Sequence, residues 1–395
     1  MFEEKELEYS LEECMNDFVI PNCALQVNPD IQAKGGVSIP LLLSKPGAGK
    51  TSIQAQKAKE IGWGMLTIQP ALKPIEEYGG IPKFNWFHFD DEEEKTLGTI
   101  WSISEVIVDL KVMSKKHDLV IFFWDDIHLC GPEHLALMQE CFTERAIRGY
   151  KLPDNVAISL AGNPSNKAGY RSLSSAIINR CVKLPVYLKY EDWKKNFAIK
   201  NSIHSSIVSF LGHAMYSKYF HEEEQIDDAW ASPRQWARLS NFVCAYEEFQ
   251  NKPMPVNQLL FYSTGHVGKE ASSQYVRYFE IFSKFDVISI FENSENFAPP
   301  DDELDRYIFV FACLNHITNK YNKKTAEVMN QQIVNIATGL LKIDESLGIL
   351  LLKEILLVDS KSMKTKIKIN EILQKLEETN DGLLKKILDE RKEDD

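Results

Sequence analysis

The chain has 395 residues, of which 44% are hydrophobic and 26% charged, a balance typical of globular proteins with more than one domain. Its net charge of −12 at pH 7 argues against a surface built for non-specific binding to nucleic acid, although it does not exclude a local basic groove. The sequence contains no apolar run of about 18 residues, so no membrane span is predicted.

The seven cysteines indicate a reducing compartment. They are dispersed without paired spacing and their number is odd, so we expect neither a disulfide framework nor a zinc site. The acidic stretch at the start of the chain, Met1 to Lys5, has no signal-peptide pattern. These observations predict a cytoplasmic protein.

The order of predicted elements indicates the fold class. Residues 1–36 form a leader in which 6–16 favours a short helix and 21–36 a loop. From residue 37 onward, strands and helices alternate, which predicts a parallel sheet flanked by helices. The predicted strands lie at 37–43, 65–69, 119–124 and 156–160, and the predicted helices at 50–61, 104–116 and 132–147.

After Leu188 the strand pattern stops and helices dominate. A proline-containing stretch at 294–304 indicates a linker. The sequence therefore predicts four parts: a leader at 1–36, an α/β domain at 37–188, an all-helical domain at 189–293 and a helical C-terminal region at 294–395.

The stretch from Ser44 to Thr51 has the context of a loop that binds nucleotide phosphates, because a glycine-rich turn joins a strand to a helix. Gly47 and Gly49 let backbone N–H groups point at a phosphate, and the helix N-terminus adds positive charge. Lys50 can reach the β- and γ-phosphates, and the Thr51 hydroxyl can bind Mg²⁺. The alternative is a plain turn with a chance Gly-Lys-Thr. The residues expected to bind ATP are Pro46, Gly47, Ala48, Gly49, Lys50, Thr51 and Ser52.

Two acidic residues, Asp125 and Asp126, follow the apolar run at 119–124. Ligands of parallel sheets bind at the carboxyl ends of the strands, so these residues would lie near the phosphate loop. We expect Asp125 to hold Mg²⁺ through water and Asp126 to polarise the attacking water. The alternative is that both acids only start a helix, since Asp is a good N-cap residue.

Asn163 follows the predicted strand at 156–160, within Ala161-Gly162-Asn163-Pro164. An amide at that strand end could contact the γ-phosphate or the attacking water. Asn-Pro alone is only a turn signal, so this interpretation depends on the neighbouring acidic strand and the phosphate loop.

Several of these segments, taken in order over residues 37–285, resemble the MoxR group of AAA+ ATPases, in the helix-2-insert class. The phosphate loop and Asp125-Asp126 resemble its Walker A and Walker B elements. Further stretches resemble other family elements. Tyr78-Gly79-Gly80-Ile81-Pro82 is similar to the insert region, and the stretch from Tyr150 to Pro164 to the pre-sensor hairpin and sensor 1. Ile178-Asn179-Arg180-Cys181 is similar to an Asn-Arg-Phe stretch, and Ser232-Pro233-Arg234-Gln235-Trp236 to sensor 2. Gly265-His266-Val267-Gly268 resembles a late lid element.

The resemblance implies a hexameric ring that couples Mg·ATP hydrolysis to remodelling of a partner protein, with 189–293 as the lid. Arg180 would be an arginine finger that acts on the neighbouring subunit, and Arg234 would reach the nucleotide from the lid. The alternatives are a surface cation at a helix end for Arg180 and a helix-start residue for Arg234. The implied partner carries a von Willebrand A-type or metallopeptidase-like domain. A nucleic-acid translocase or loader of the same class is the second hypothesis.

The sequence departs from the family pattern at three positions. Ser44 stands where the loop usually begins with Gly, and Cys181 replaces a Phe. Asp126 stands where the family usually has Glu, and its side chain is one methylene shorter. A misplacement of about 1 Å can cost on the order of 10²-fold in rate, so a nucleotide-gated scaffold with slow turnover is a third hypothesis.

Three further segments leave alternatives open. The basic stretch from Arg145 to Lys151 could grip an acidic polypeptide or nucleic acid, or be a solvated turn. The aromatic stretch 84–89, followed by acidic 90–94, could contact a partner or form the core of an insert. The block 304–395 has apolar helical stripes that must be buried, on the lid, in an assembly or on a partner.

Overall fold

A computed structural model describes residues 9–87, 96–163, 172–222, 225, 228–321, 324–361 and 369–377. The chain forms two compact units, Met1–Lys189 and Tyr190–Asp395. Among the segments discussed above, Met1 to Lys5, the stretch 88–94, Pro164 and, within the block 304–395, residues 378–395 lie outside the described residues.

The first unit is an α/β structure, and short π or 3-10 segments lie at Met15–Val19, Pro70–Leu72 and Ile127–Leu129. Its strands and helices are β1 (Tyr9–Ser10), α1 (Leu11–Cys14), α2 (Ile20–Gln26), α3 (Pro29–Ala33), β2 (Ile39–Leu43), α4 (Lys50–Ile61), β3 (Gly64–Ile68), α5 (Ile75–Gly79), β4 (Pro82–Phe87), β5 (Thr96–Trp101), α6 (Glu105–Ser114), β6 (Val120–Trp124), α7 (Pro132–Glu144), β7 (Ala146–Ile147), β8 (Tyr150–Lys151), β9 (Val156–Gly162), α8 (Ser175–Ile178) and β10 (Cys181–Tyr187).

The main sheet has six strands in the order β1-β10-β2-β9-β6-β3, and every neighbouring pair is parallel. Leu43 of β2 is in register with Gly162 of β9, and Trp124 of β6 with Leu160. Because the strands run the same way, the carboxyl ends of β2, β9 and β6 meet at one edge, with β9 in the middle. The two remaining strand pairs, β4–β5 and β7–β8, are antiparallel hairpins.

Both faces of this sheet are covered, which explains the unbroken apolar run in β6. Phe122 and Trp124 pack into a core cluster with α6 and α7 on one face. Ile121 and Phe123 pack into a second cluster with α1, α2 and α4 on the other. A strand buried on both faces has no polar side to alternate with, and hydrophobic burial on the two faces stabilises the sheet.

The predicted loop at 21–36 is wrong, because α2 and α3 occupy most of it. Pro29 lies in the first turn of α3, where the missing N–H of proline costs nothing. Pro21 lies within helical backbone that continues from α1 through the π segment Met15–Val19. The side chain of Asn28 caps α3 by accepting hydrogen bonds from two backbone N–H groups. The leader also belongs to the sheet, since β1 pairs with β10.

The second unit consists of helices joined by turns and loops in its described residues, and it is built around buried aromatic side chains, among them Phe210, Trp236 and Tyr275. Lys194 and Glu354 form a buried ion pair within it. The helices are α9 (Tyr190–Trp193), α10 (Ser205–Gly212), α11 (Pro233–Gln250), α12 (Val256–Val267), α13 (Lys269–Lys284), α14 (Val287–Glu292), α15 (Glu303–Lys320), α16 (Ala326–Ile343), α17 (Glu345–Lys361) and α18 (Ile369–Glu377).

The predicted fold class is confirmed: a parallel sheet flanked by helices is followed by an all-helical region. Segments 189–293 and 294–395 lie almost wholly in the same compact unit, and the boundary between them stays a prediction. Among the described helices, none combines the length and the apolar character that a bilayer crossing requires.

Candidate functional site

The turn between β2 and α4 has the backbone that a phosphate loop needs. Gly47 and Gly49 have φ angles of 83° and 89°, in the left-handed region that side chains disfavour. Gly49 is the N-cap of α4, and no side chain of the described residues caps this helix. The first N–H groups of α4 therefore face the turn as hydrogen-bond donors for an anion. Of the other predicted contacts, Ala48 is buried, Pro46 is half-buried and Ser52 is exposed.

Lys50 links the start of the loop to the end of β9. Its Nζ donates to the carbonyl oxygen and to the Oγ of Ser44, both at 3.1 Å. It also donates to Asn163 Oδ1 at 2.8 Å. Lys50 and Asn163 are each only 6% exposed, so this ammonium group is held by polar partners inside the protein. The structure thus brings together two residues that the sequence placed on separate elements.

Thr51 and Asp125 meet at the same edge of the sheet. The Thr51 hydroxyl donates to Asp125 Oδ2 at 2.5 Å, and Gln69 Nε2 lies 3.4 Å from the same oxygen. The backbone N–H of Asp126 donates to Asp125 Oδ1 at 3.0 Å. A hydroxyl and a buried carboxylate side by side are the hard oxygen ligands that Mg²⁺ prefers.

Asp126 has a strained backbone. Its φ angle is 52°, in the left-handed region, and it precedes the 3-10 turn at Ile127–Leu129. A residue with a side chain pays on the order of 1–2 kcal/mol for this conformation. Such strain is common where a fold holds a side chain in place for function. The half-buried Asp126 lies beside Asp125, at the carboxyl edge of the sheet.

Arg180 lies at the amino ends of the strands, whereas Lys50 lies at their carboxyl ends. It precedes β10, and its carbonyl oxygen accepts from the N–H of Ile39, the first residue of β2. Strand β10 then runs parallel to β2 for four steps, about 13 Å, to the edge that carries the loop. The Arg180 guanidinium donates to the carbonyl oxygen of Ala176 at 2.7 Å.

Arg234 lies in the second unit, exposed on the first turn of α11. The neighbouring residues fix that turn. Ser232 caps the helix through its side chain, and the indole of Trp236 donates to the carbonyl oxygen of Tyr219 at 2.8 Å. The described site within the first unit therefore contains Lys50, Thr51, Asp125, Asp126 and Asn163, and neither predicted arginine.

The sequence interpretation missed Gln69 and His128. Gln69 contacts Asp125, as given above, and nothing in its own segment indicates this. His128 packs so closely on β9 that a Cβ atom on Gly162 would lie 2.1 Å from His128 Nδ1. That nitrogen is buried, with no hydrogen-bond partner among the described residues. Burial lowers the pKa of His128, and the nearby cations of Lys183 and Lys50 lower it further. Its place three residues after Asp125 was the only available signal.

The basic residues of the β7–β8 hairpin are engaged within the first unit. Arg145 donates to the carbonyl oxygens of Pro153 and Val156. The Arg148 guanidinium lies 4.0 Å from the ring centroid of Trp101. Lys151 donates to the carbonyl oxygen of Glu144 at 2.9 Å. These contacts favour a turn fixed by its own charges over a basic surface that grips a chain.

The aromatic stretch forms strand β4, and its side chains are largely exposed. Phe84 is 82% exposed and Trp86 is 63% exposed. Among the described strands, β4 pairs with β5 alone, in a two-stranded ribbon. Phe84 and Trp86 are therefore not the core of an insert, whereas His88 and Phe89 lie outside the described residues.

The chain is similar in structure to a proline-to-glycine mutant of RuvB from Thermotoga maritima, with 14% identity, a TM-score of 0.32, and coverage of 73% of this chain and 79% of RuvB. A lysine-to-arginine mutant of the same protein gives 13% identity and a TM-score of 0.30, with coverage of 74% of this chain and 80% of RuvB. An alanine-to-serine mutant gives 14% identity and a TM-score of 0.30, with coverage of 66% of this chain and 68% of RuvB. No family model matches the chain, and no curated protein matches it. At these TM-scores we draw no functional conclusion from the likeness.

Proposed function

We propose that this protein is an AAA+ ATPase that binds Mg·ATP at the loop from Ser44 to Thr51. The observation that carries the proposal is the meeting of Lys50, Thr51, Asp125 and Asn163 at the carboxyl edge of a parallel sheet. Nucleotide phosphates bind in such crevices, where helix N-termini and strand ends converge.

The residues fit the nucleotide and its metal ion. Two glycines in left-handed conformation leave the loop backbone free to approach a phosphate, and Lys50 supplies a cation. The Thr51 hydroxyl and the Asp125 carboxylate are the residues that would hold Mg²⁺. When bound, Mg²⁺ supplies positive charge that neutralises the phosphate oxygens.

Each further residue has a role that follows from its chemistry. Asp126 would orient the attacking water by accepting its proton, and Asn163 would hydrogen-bond the γ-phosphate or that water. Arg180 would stabilise transition-state charge on a neighbouring subunit, because its own loop lies at the far edge of the sheet. Arg234 would report the nucleotide state from the lid. These roles require a homo-oligomeric ring, for which we propose a hexamer.

We propose further that the ring remodels a partner protein, as MoxR-like ATPases do, and that this partner carries a von Willebrand A-type domain. A nucleic-acid translocase is less favoured, because Arg145 and Arg148 are engaged within the first unit and the net charge is −12. Stimulation of turnover by DNA or RNA, falling steeply with salt, would reverse this preference.

A second candidate function is a nucleotide-gated scaffold with slow turnover. The observation that favours it is Asp126, whose side chain is one methylene shorter than Glu and whose backbone is strained. Strong nucleotide binding without measurable hydrolysis in the assembled protein would favour the scaffold.

The first experiment compares Lys50→Ala with Lys59→Ala, a matched change at an exposed position of the same helix. We expect Lys50→Ala to lower ATP turnover by about 100-fold and to weaken ATP binding, because the phosphates lose their cation. Lys59→Ala should behave as the wild type. Unchanged binding and hydrolysis in Lys50→Ala would reject the proposed ATPase.

The second experiment seeks the partner. Asp126→Asn should bind ATP but hydrolyse it slowly, so that the protein stays in its ATP-bound form. A pull-down with this variant in ATP should retain a protein that contains a von Willebrand A-type domain, and the same pull-down in ADP should not. Retention of nucleic acid instead would favour the translocase.

A further inference from the structure

The first residue of the loop makes contacts that glycine, usual at this position, could not make. Ser44 is buried, and its hydroxyl donates to the carbonyl oxygen of Lys45 at 3.2 Å. The same Oγ accepts from Lys50 Nζ at 3.1 Å. The serine side chain therefore adds a hydrogen bond to the lysine that would bind the phosphates.

Among the described residues, Lys50 Nζ donates to the carbonyl oxygen of Ser44, to its hydroxyl, and to the amide oxygen of Asn163. An ammonium group has three protons, so these acceptors are enough to engage all of them. A phosphate oxygen can then accept from Nζ only if a partner releases its proton.

The three acceptors differ in how easily they can move. The Ser44 carbonyl is fixed by the backbone at the end of β2, and Asn163 is held at the end of β9. The Ser44 hydroxyl turns about a single side-chain torsion. It is therefore the acceptor that exchanges with the least disturbance of the sheet.

We propose that Ser44 is a positioning residue that competes with phosphate for Lys50 and so weakens nucleotide binding. This inference rests on the proposed ATPase. A hydrogen bond to a charged group that is broken on binding lowers affinity, and we expect its removal to tighten binding by about 5- to 10-fold. The loop thus contains its own intramolecular competitor, at the position where this sequence departs from glycine.

The test measures Kd for ATP and for ADP, with Mg²⁺, in the wild type, Ser44→Ala and Ser44→Gly. Both variants should bind each nucleotide about 5- to 10-fold more tightly. Ser38→Ala is the matched control, since Ser38 is exposed just before β2, at the far end of that strand from the loop. Its Kd should equal that of the wild type.

Thermal unfolding separates competition from a merely structural role. Without nucleotide, Ser44→Ala loses a bond and should have a lower Tm than the wild type. With saturating ATP the two should unfold together, so the ATP-induced rise in Tm is larger in the variant. If Ser44→Ala misfolds, Ser44→Gly provides the same test with the residue usual at this position.

Two results would overturn the inference. An unchanged Kd would mean that the Lys50–Ser44 bond persists when phosphate binds, and a weaker Kd would mean that Ser44 holds Lys50 ready for it. Failure of the wild type to bind ATP would instead reject the proposed function itself.

Discussion

The hydroxyl of Thr51 lies 2.5 Å from Asp125 Oδ2 and joins the first turn of α4 to the end of β6. These residues are 74 positions apart in the sequence. The contact places a neutral oxygen beside an acidic one, and it is the observation on which the proposed magnesium site depends.

Thr51→Ala should weaken the response to Mg²⁺, because the metal ion loses one ligand. We expect turnover at limiting Mg²⁺ to fall at least about tenfold, as loss of a ligand costs more than a kcal/mol. Thr51→Ser, which keeps the hydroxyl, is the control and should retain most activity. Titration of ATPase activity with Mg²⁺ gives the result, and identical curves for Thr51→Ala and the wild type would remove Thr51 from the site.

Two substitutions of Asp126 should change ATP turnover in opposite directions. Asp126→Asn removes the carboxylate that accepts the proton of water, and we expect turnover to fall about 10²-fold or more. Asp126→Glu extends the carboxylate by one methylene toward the water, and we expect turnover to rise. Single-turnover hydrolysis measures both variants. If neither change alters the rate, Asp126 does not orient the water.

Arg180 should act only on a neighbouring subunit. Arg180→Ala and Lys50→Ala should each be inactive alone, because one lacks the arginine finger and the other lacks a phosphate site. Mixing the two variants should restore part of the turnover, since the intact loop of one subunit meets the intact arginine of the next. A mixture as inactive as its components would indicate that Arg180 does not act in trans.

Gly162→Ala should destabilise the first unit. The added Cβ would lie 2.1 Å from His128 Nδ1, at the end of the strand that carries Asn163. Overpacking of this kind costs about 1–3 kcal/mol, which denaturant unfolding can measure. The double variant Gly162→Ala with His128→Ala should recover most of the loss, because the imidazole is no longer in the way. No recovery would mean that the backbone, and not His128, excludes a side chain there.

We expect Glu13 to make the free energy of unfolding depend on pH in the acidic range. Its carboxylate accepts from Lys189 and from the backbone N–H of Ser10, and these bonds lower its pKa from 4.5 to about 2. A lowered pKa means that the stabilisation is complete above about pH 4.5 and is lost as the pH falls toward 2. We therefore expect Glu13→Gln to lower the free energy of unfolding by about 0.5–1 kcal/mol at pH 7.

The same difference should begin to shrink near pH 4, fall to less than about half of its value at pH 3 and vanish only as the pH approaches 2, because the folded protein then binds the same proton as the unfolded chain. Urea midpoints at pH 7, 5, 4 and 3 measure it. Lys189→Met removes the main partner of Glu13 and serves as the companion variant. A wild-type–variant difference that stays constant over this range would contradict the assigned role of Glu13.

The sequence predicted the elements whose signals are local. The run before Asp125 is apolar throughout because both faces of β6 are buried, and a glycine-rich turn between a strand and a helix has few other uses. The leader was misjudged because Pro21 and Pro29 indicate loops by composition, whereas Pro29 starts α3 and Pro21 lies in helical backbone that follows a π segment.

The contacts that define the site join residues far apart in the chain. Lys50 and Asn163 are 113 positions apart, and no periodicity or spacing records that their side chains meet. No sequence pattern records the contact of His128 with Gly162 either, because it depends on how the turn after β6 folds back on β9. Sequence patterns indicate which strand ends carry polar groups, and only the register of the strands fixes which groups touch.

The leader also completes β9. Gln26 Nε2 donates to the carbonyl oxygen of Ile158, and Gln26 Oε1 accepts from its N–H, both at 2.8 Å. A single side-chain amide thus takes the part of a strand neighbour in the buried middle of the sheet. A protein trimmed to begin at residue 37 would leave this peptide group without its partner, only five residues before Asn163. The smallest fragment that keeps the proposed nucleotide site intact must therefore include α2 and cannot begin at β2.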